Sequence, residues 1–308
     1  MKSSRLPIAI LLLAACAKKD AAPAVDTTAA VAPPAAPALV STTEGFSTPE
    51  AVLWDAELGV WYVANINGNP GDKDNNGFIS RLKADGSLDS LKFIESGKNE
   101  VKLNGPKGMA LVGDTIWVAD IDAVRGFNRR TGAPVANVEL GKQAKFLNDI
   151  AVGPNGVLYV TDTGILFSAK GVDHPGPDRV FAITGRNVAV GVEGKFLGGP
   201  NGITWDGVNN RLIIASFTAN TVLGWKPGEA TVDTVATGLG QYDAVEIVGG
   251  TLFVSSWADS SLSTVEGGKV TKFAGPVASP GDIGVDQTRS LVAQPLLMLN
   301  KVEFWRVK

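Results

Sequence analysis

The chain has 308 residues, 44% hydrophobic and 19% charged, with a net charge of −3 and a pI near 5.3. That is enough for one large domain or two small ones, and the acidic balance argues against a nucleic-acid partner, which would need a basic patch for phosphates. A single Cys and a single His rule out a disulfide framework and speak against a Cys/His zinc cluster or a histidine-based triad.

At the start of the chain, Lys2 and Arg5 precede an apolar run over residues 6–15. The run is too short to span a membrane as a helix and has the length of a signal-peptide core. It ends Leu13-Ala14-Ala15-Cys16, which resembles the lipobox of bacterial lipoprotein signals. That resemblance implies cleavage before Cys16 and lipidation of Cys16, so that acyl chains hold the protein on a membrane. The next residue is Ala17 rather than Asp. By analogy with Gram-negative lipoproteins, this points to an exported protein on the periplasmic face of the outer membrane or the cell surface. An Ala/Pro-rich stretch without amphipathic period follows and reads as a disordered tether. The predicted organisation is a signal peptide over residues 1–15, a tether over 16–37 and a folded body over 38–308.

The folded body carries six related units. Pro49-Glu50-Ala51-Val52-Leu53-Trp54 opens the first and Pro106-Lys107-Gly108-Met109-Ala110-Leu111 the second. Leu147-Asn148-Asp149-Ile150-Ala151-Val152 opens the third and Pro200-Asn201-Gly202-Ile203-Thr204-Trp205 the fourth. Tyr242-Asp243-Ala244-Val245-Glu246-Ile247 and Pro280-Gly281-Asp282-Ile283-Gly284-Val285 open the last two. A turn such as Gly113-Asp114, Pro154-Asn155-Gly156 or Gly249-Gly250 leads to a second strand in each unit, and a third and fourth follow. Four strands about every 40 to 50 residues predict an all-β, six-bladed β-propeller. The sixth unit has only three strands, and residues 38–43 supply the fourth from the N-terminal side, closing the ring. A two-sheet sandwich is the alternative, which six matched units fit badly.

The first strand of a propeller blade lines the central channel, so the openings of the six strands converge at one mouth. Those positions hold Glu50, Lys107, Asn148, Asn201, Asp243 and Gly281, followed by Ala51, Gly108, Asp149, Gly202, Ala244 and Asp282. Carboxylate and amide oxygens gathered on an axis suit a hard divalent cation.

On these residues the chain resembles the SMP-30/gluconolactonase/luciferin-regenerating-enzyme family of six-bladed propellers, from about Thr48 to the C-terminus. The resemblance implies one divalent metal (Ca, Mg, Mn or Zn) held by Glu50, Asn201 and Asp243, with Asn148 contacting water or substrate. There are departures. Ala51-Val52 stand where the family has Gly-Pro, Phe146 where it has Arg, and Ala244 where it has Gly. Lys107 adds a cation to the rim. The metal site therefore reads as better kept than the sugar-recognition site. The implied chemistry is metal-dependent hydrolysis of a lactone or ester, with Asp243, Asn148 and Lys107 as the catalytic candidates. Here Asp243 takes a proton from the attacking water, Asn148 orients water or substrate and Lys107 holds a substrate carboxylate. The other reading is a non-catalytic propeller that binds a small ligand or protein partner in the cell envelope.

Three further features read as structural. Asp149 and Asp282 bond backbone between blades. Asp72-Lys73-Asp74-Asn75-Asn76-Gly77 resembles the start of a calcium loop, but position twelve is Lys83 and no helices flank it. The loop over residues 163–178, with His174, lies at the same mouth, and the two loops read as a partial lid.

Overall fold

A computed structural model describes residues 37–168 and 170–307. Every regular element among them is a strand or a short 3-10 turn. Blade 1 is Pro49–Asp55, Val60–Asn65, Phe78–Lys83 and Leu88–Glu95, all antiparallel. Blade 2 is Pro106–Val112, Thr115–Asp120, Ala123–Asn128 and Pro134–Glu139. Blade 3 is Leu147–Val152, Leu158–Asp162, Arg179–Thr184 and Asn187–Glu193. Blade 4 is Pro200–Asp206, Arg211–Ser216, Thr221–Trp225 and Asp233–Thr237. Blade 5 is Tyr242–Val248, Thr251–Ser256, Ser261–Glu266 and Lys269–Ala274, joined to blade 4 at its rim by one parallel bridge, Thr237 to Lys269. Blade 6 is Gly284–Asp286, Leu291–Leu296 and Lys301–Arg306, and Ala38–Glu44 pairs along Lys301–Arg306 as its fourth strand. The donated strand sits where the sequence placed it, and each inner strand packs against the inner strands on both sides, so the ring is closed.

Successive side chains of a strand point to opposite faces, and the second strands of the blades are near-continuous apolar runs because both faces of a blade meet a neighbour. Six apolar clusters result, one at each blade interface. Trp61 and Phe304 fill the joint between blades 6 and 1, and Trp225 and Tyr159 that between blades 3 and 4. Burying one such side chain stabilises by about 1.5–3 kcal/mol.

The structure departs from the sequence reading in two places. The inner strand of blade 6 is shorter than the six matched residues suggest. Asp282 leaves its own blade and bridges to Ala51 of blade 1, its N–H donating to the Glu50 carbonyl at 2.7 Å. The loop over residues 163–178 contains a two-stranded hairpin, Leu166–Ser168 with Gly171–Asp173. It is too short to carry a periodic signal.

Candidate functional site

In blades 1 to 5 the inner strand carries one extra residue relative to its partner, at its opening. In blade 1, Pro49 faces Asn65 and Ala51 faces Ala64, which leaves Glu50 unpaired. In blade 4, Asn201 and Gly202 together oppose one residue between the pairs Pro200–Ser216 and Ile203–Ile214. The same two-against-one step falls at Lys107-Gly108, Asn148-Asp149 and Asp243-Ala244. A bulge turns a side chain out of the pleat and removes its backbone from the ladder, and this is how polar residues at the head of apolar strands come to face the axis.

The backbone groups freed by the bulges find other partners. Thr161 accepts from the Asp149 N–H at 2.9 Å and donates to the Asn201 carbonyl at 2.6 Å, tying blade 3 to blade 4. Ser255 does the same between Ala244 N–H (3.0 Å) and the Gly281 carbonyl (3.1 Å). Asp149 accepts from the N–H groups of Ile150 and Ile203, at 2.6 and 2.7 Å. Gly202 is needed here, since a Cβ would lie 2.6 Å from the Asp243 carbonyl oxygen; at Gly108 it would lie 2.1 Å from the Asp149 carboxylate. Acids at the ends of the second strands fix the loops that lead into the bulges. Asp120 accepts from Asn104 N–H, Gly105 N–H and Arg125 Nε, and Asp162 from Phe146 N–H and Lys145 N–H.

Glu50, Lys107, Asn148, Asn201 and Asp243 form the floor of one cavity of about 390 Å³ at the mouth. All five are at least 95% buried. Glu50 Oε2, Asn201 Oδ1 and Asp243 Oδ1 are buried with no hydrogen-bond partner. The other Asp243 oxygen accepts from the Trp257 indole N–H at 2.8 Å. Asn148 Nδ2 donates to Thr163 Oγ at 3.2 Å, and Thr163 in turn donates to the Pro200 carbonyl. Lys107 Nζ donates to the Gly105 carbonyl at 2.8 Å and lies 4.2 Å from the centre of the Phe146 ring. Among the described residues no ion pair joins Lys107 to Glu50.

Burial dominates the electrostatics. It holds the Glu50 carboxyl well above its usual range, helped by the charge of Asp243 and opposed by Lys107. It raises Asp243 to about 7 against the Trp257 hydrogen bond. Deeper along the strands it raises Asp149 to about 6 and Glu246 to about 8, and places Asp282 well above the ordinary carboxyl value. Lys107 falls to about 8 for the same reason, with Glu50 opposing. Four buried acids, Glu50, Asp149, Asp243 and Asp282, against one buried lysine are a field that favours a cation.

Three unpartnered buried oxygens on three blades, two from carboxylates and one from an amide, are a donor set that fits a hard divalent ion. Among the described residues no three His, Cys, Asp or Glu side chains converge as a cage, and the set on the floor has two carboxylates and one amide. The Asp149 carboxylate bonds blade 4 at the Ile203 N–H, whereas Asp282 bonds blade 1 through its backbone and its Oδ1 is buried without a hydrogen-bond partner. The calcium-like loop does not gather its oxygens around a point: Asp74 accepts from Asn76, Lys73 pairs with Asp122 and Asn75 N–H donates to Asn104. His174 bonds Asp178 at 2.5 Å, and Asp178 anchors Gly199 N–H. Cys16 lies outside the described residues.

Sequence reading missed the walls. Ile66, Thr163, Phe217, Trp257 and Leu297 line the cavity above the floor, and each is the residue directly after the second strand of its blade. The six units, aligned one strand further, contain that signal. Pro70 comes from one loop, Phe167 and Val172 from the hairpin, and Ile165 directly precedes it. The two loops meet, since a Cβ on Gly71 would lie 2.6 Å from that of Phe167.

No protein-family model and no curated protein matches the chain. Solved structures do. A chain of a nidogen/laminin complex is 20% identical, with a TM-score of 0.54 over 70% of this chain and 74% of that one. A virginiamycin B lyase from Staphylococcus aureus is 13% identical, with a TM-score of 0.56 over 87% of this chain and 99% of that one. A gluconolactonase from Xanthomonas campestris is 15% identical, with a TM-score of 0.65 over 86% of this chain and 88% of that one. At these identities the likeness is one of fold: the chain is an all-β propeller similar to that gluconolactonase.

Proposed function

We propose that the chain is a divalent-metal-dependent hydrolase of lactones or esters. The observation that carries this reading is the set of buried, unpartnered oxygens of Glu50, Asn201 and Asp243 on one cavity floor. Glu50, Asn201 and Asp243 would hold the ion, which when bound supplies a Lewis acid for the ester carbonyl. The residues around it do the positioning. Trp257 fixes one Asp243 oxygen, which leaves the other aimed at the cavity and able to accept a proton from an attacking water. Thr163 sets the Asn148 amide, which orients that water. Lys107 is the one buried cation on the floor and offers its charge to a developing oxyanion or a substrate carboxylate. The single His is tied to Asp178, which agrees with activated water rather than an acyl-enzyme.

The test is calorimetry of the metal-stripped chain with Ca²⁺, Mg²⁺, Mn²⁺ and Zn²⁺, followed by turnover of lactones and aryl esters. Asp243→Ala should abolish both binding and turnover. Metal-independent turnover in that variant overturns the assignment, and no binding at millimolar metal leaves a ligand- or partner-binding propeller as the better reading.

The sequence around Cys16 supports a second proposal, that the enzyme is displayed as a lipoprotein outside the cytoplasmic membrane. Cys16→Ser should move it from the membrane fraction to the soluble fraction; an unchanged membrane fraction refutes the anchor.

A further inference from the structure

The cavity has two chemically distinct zones. Its floor is ionic and amidic, as described above. Its walls are Phe146, Phe167, Phe217, Trp257, Ile66 and Leu297, contributed by blades 1, 3, 4, 5 and 6 and by the hairpin. Phe146 and Phe167 pack at 5.1 Å, and Phe217 and Trp257 edge-on at 6.2 Å, so the walls are two aromatic pairs.

The polar groups on the walls already have partners in the floor. The Trp257 N–H is bonded to Asp243, and the Thr163 hydroxyl bridges Asn148 and the Pro200 carbonyl. A polyhydroxylated substrate would bury hydroxyl groups against rings and leave them without partners, which is penalised. An alkyl or aryl body would instead lose water on every side.

We infer that the substrate is a lactone or ester with a small polar head and an apolar alkyl or aryl substituent, and that sugar lactones are poor ligands. The head reaches Glu50, Asn201 and Asp243 on the floor, and the substituent lies between the Phe146–Phe167 and Phe217–Trp257 pairs. The hairpin that carries Phe167 is the part of the wall that belongs to no blade. It sets how long a substituent is covered. This inference rests on the hydrolase reading for the word substrate, but the binding preference stands apart from turnover.

The experiment separates the two. The full-length chain is titrated with 2-alkylcyclopentanones of increasing chain length, which a hydrolase cannot open, and binding is read by calorimetry and tryptophan fluorescence. Affinity should rise about three- to fourfold per methylene until the walls are filled. Phe167→Ser and Phe217→Ser should flatten that rise, and circular dichroism shows whether each variant is folded. In parallel, γ-lactones of the same chain lengths and glucono-δ-lactone are assayed for turnover, with kcat/KM expected to rise with chain length. Chain-length-dependent binding without any turnover keeps the inference and sinks the hydrolase. Turnover that is flat with chain length, or best with glucono-δ-lactone, sinks the inference and keeps the hydrolase. Ketone affinity that does not change with chain length also overturns it.

Discussion

Pro154-Asn155-Gly156 and Pro200-Asn201-Gly202 are the same three residues in two settings. The first forms an exposed 3-10 turn between the first two strands of blade 3, with Asn155 at φ 59°. The second opens the inner strand of blade 4, where a bulge turns Asn201 into the cavity and Gly202 lies against the backbone of blade 5. In the turn, Asn and Gly are chosen for left-handed backbone. In the bulge, Asn is chosen for its oxygen and Gly for its lack of a Cβ. A motif of this kind means nothing until its place in the blade is known.

Substitutions at matched positions test this contrast. Asn201→Ala should weaken divalent-metal binding at least about a hundredfold, on the scale of disturbed metal sites, while Asn155→Ala leaves calorimetric affinity unchanged. Equal effects at the two positions would refute the assignment of Asn201. Gly202→Ala should cost about 1–3 kcal/mol in chemical denaturation, because a methyl group there meets backbone that cannot move aside. It should also lower metal affinity, since the obstructing backbone is the Asp243 carbonyl and the Ala244 and Val245 atoms that follow it. Gly156→Ala has space, with Val112 3.7 Å away, and should cost only the left-handed backbone penalty of about 1 kcal/mol. Metal binding should not respond to it.

The acids of the inner strands give a pH signature that the exposed turn lacks. Asp149 and Glu246 have folded-state values of about 6 and about 8, above the ordinary carboxyl values of the unfolded chain. Below about pH 4 both are protonated in either state, so their contribution to stability is intact. As pH rises the unfolded chain ionises first, so stability is lost from about pH 4 upward, until about 6 for Asp149 and about 8 for Glu246. The melting temperature of the metal-stripped chain should therefore fall between about pH 4 and about pH 8 and level off above that. Glu246→Gln should shallow the upper part of that slope, and a slope unchanged in the variant would show that Glu246 is not its source. The smallest effect expected is that of Asn155→Ala on stability, about 1 kcal/mol or less, from the αL preference of Asn alone.

Much of the fold was legible because a propeller repeats itself. The alternation of each strand, the turn residues and the spare N-terminal strand state the blade count without reference to contacts. The floor was legible for the same reason: polar residues at the head of apolar strands stand out once six units are aligned. The walls were not. Phe217, Trp257 and Leu297 follow apolar strands and read as their continuation, and only the closure of the ring turns them toward the mouth. The hairpin was hidden because strands of three residues carry too little period to register.

The sequence by itself determined the ring of six blades and which residues head its inner strands, because hydrophobic period and repeat spacing are local properties of the chain. Only the tertiary structure decided what those residues face. The extra residue at the head of five inner strands, the hydroxyl ties of Thr161 and Ser255 and the lateral bridge at Asp282 all depend on the neighbouring blade or partner strand. So does the pairing of an ionic floor with aromatic walls, since its members are brought together from all six blades and a hairpin by closure alone.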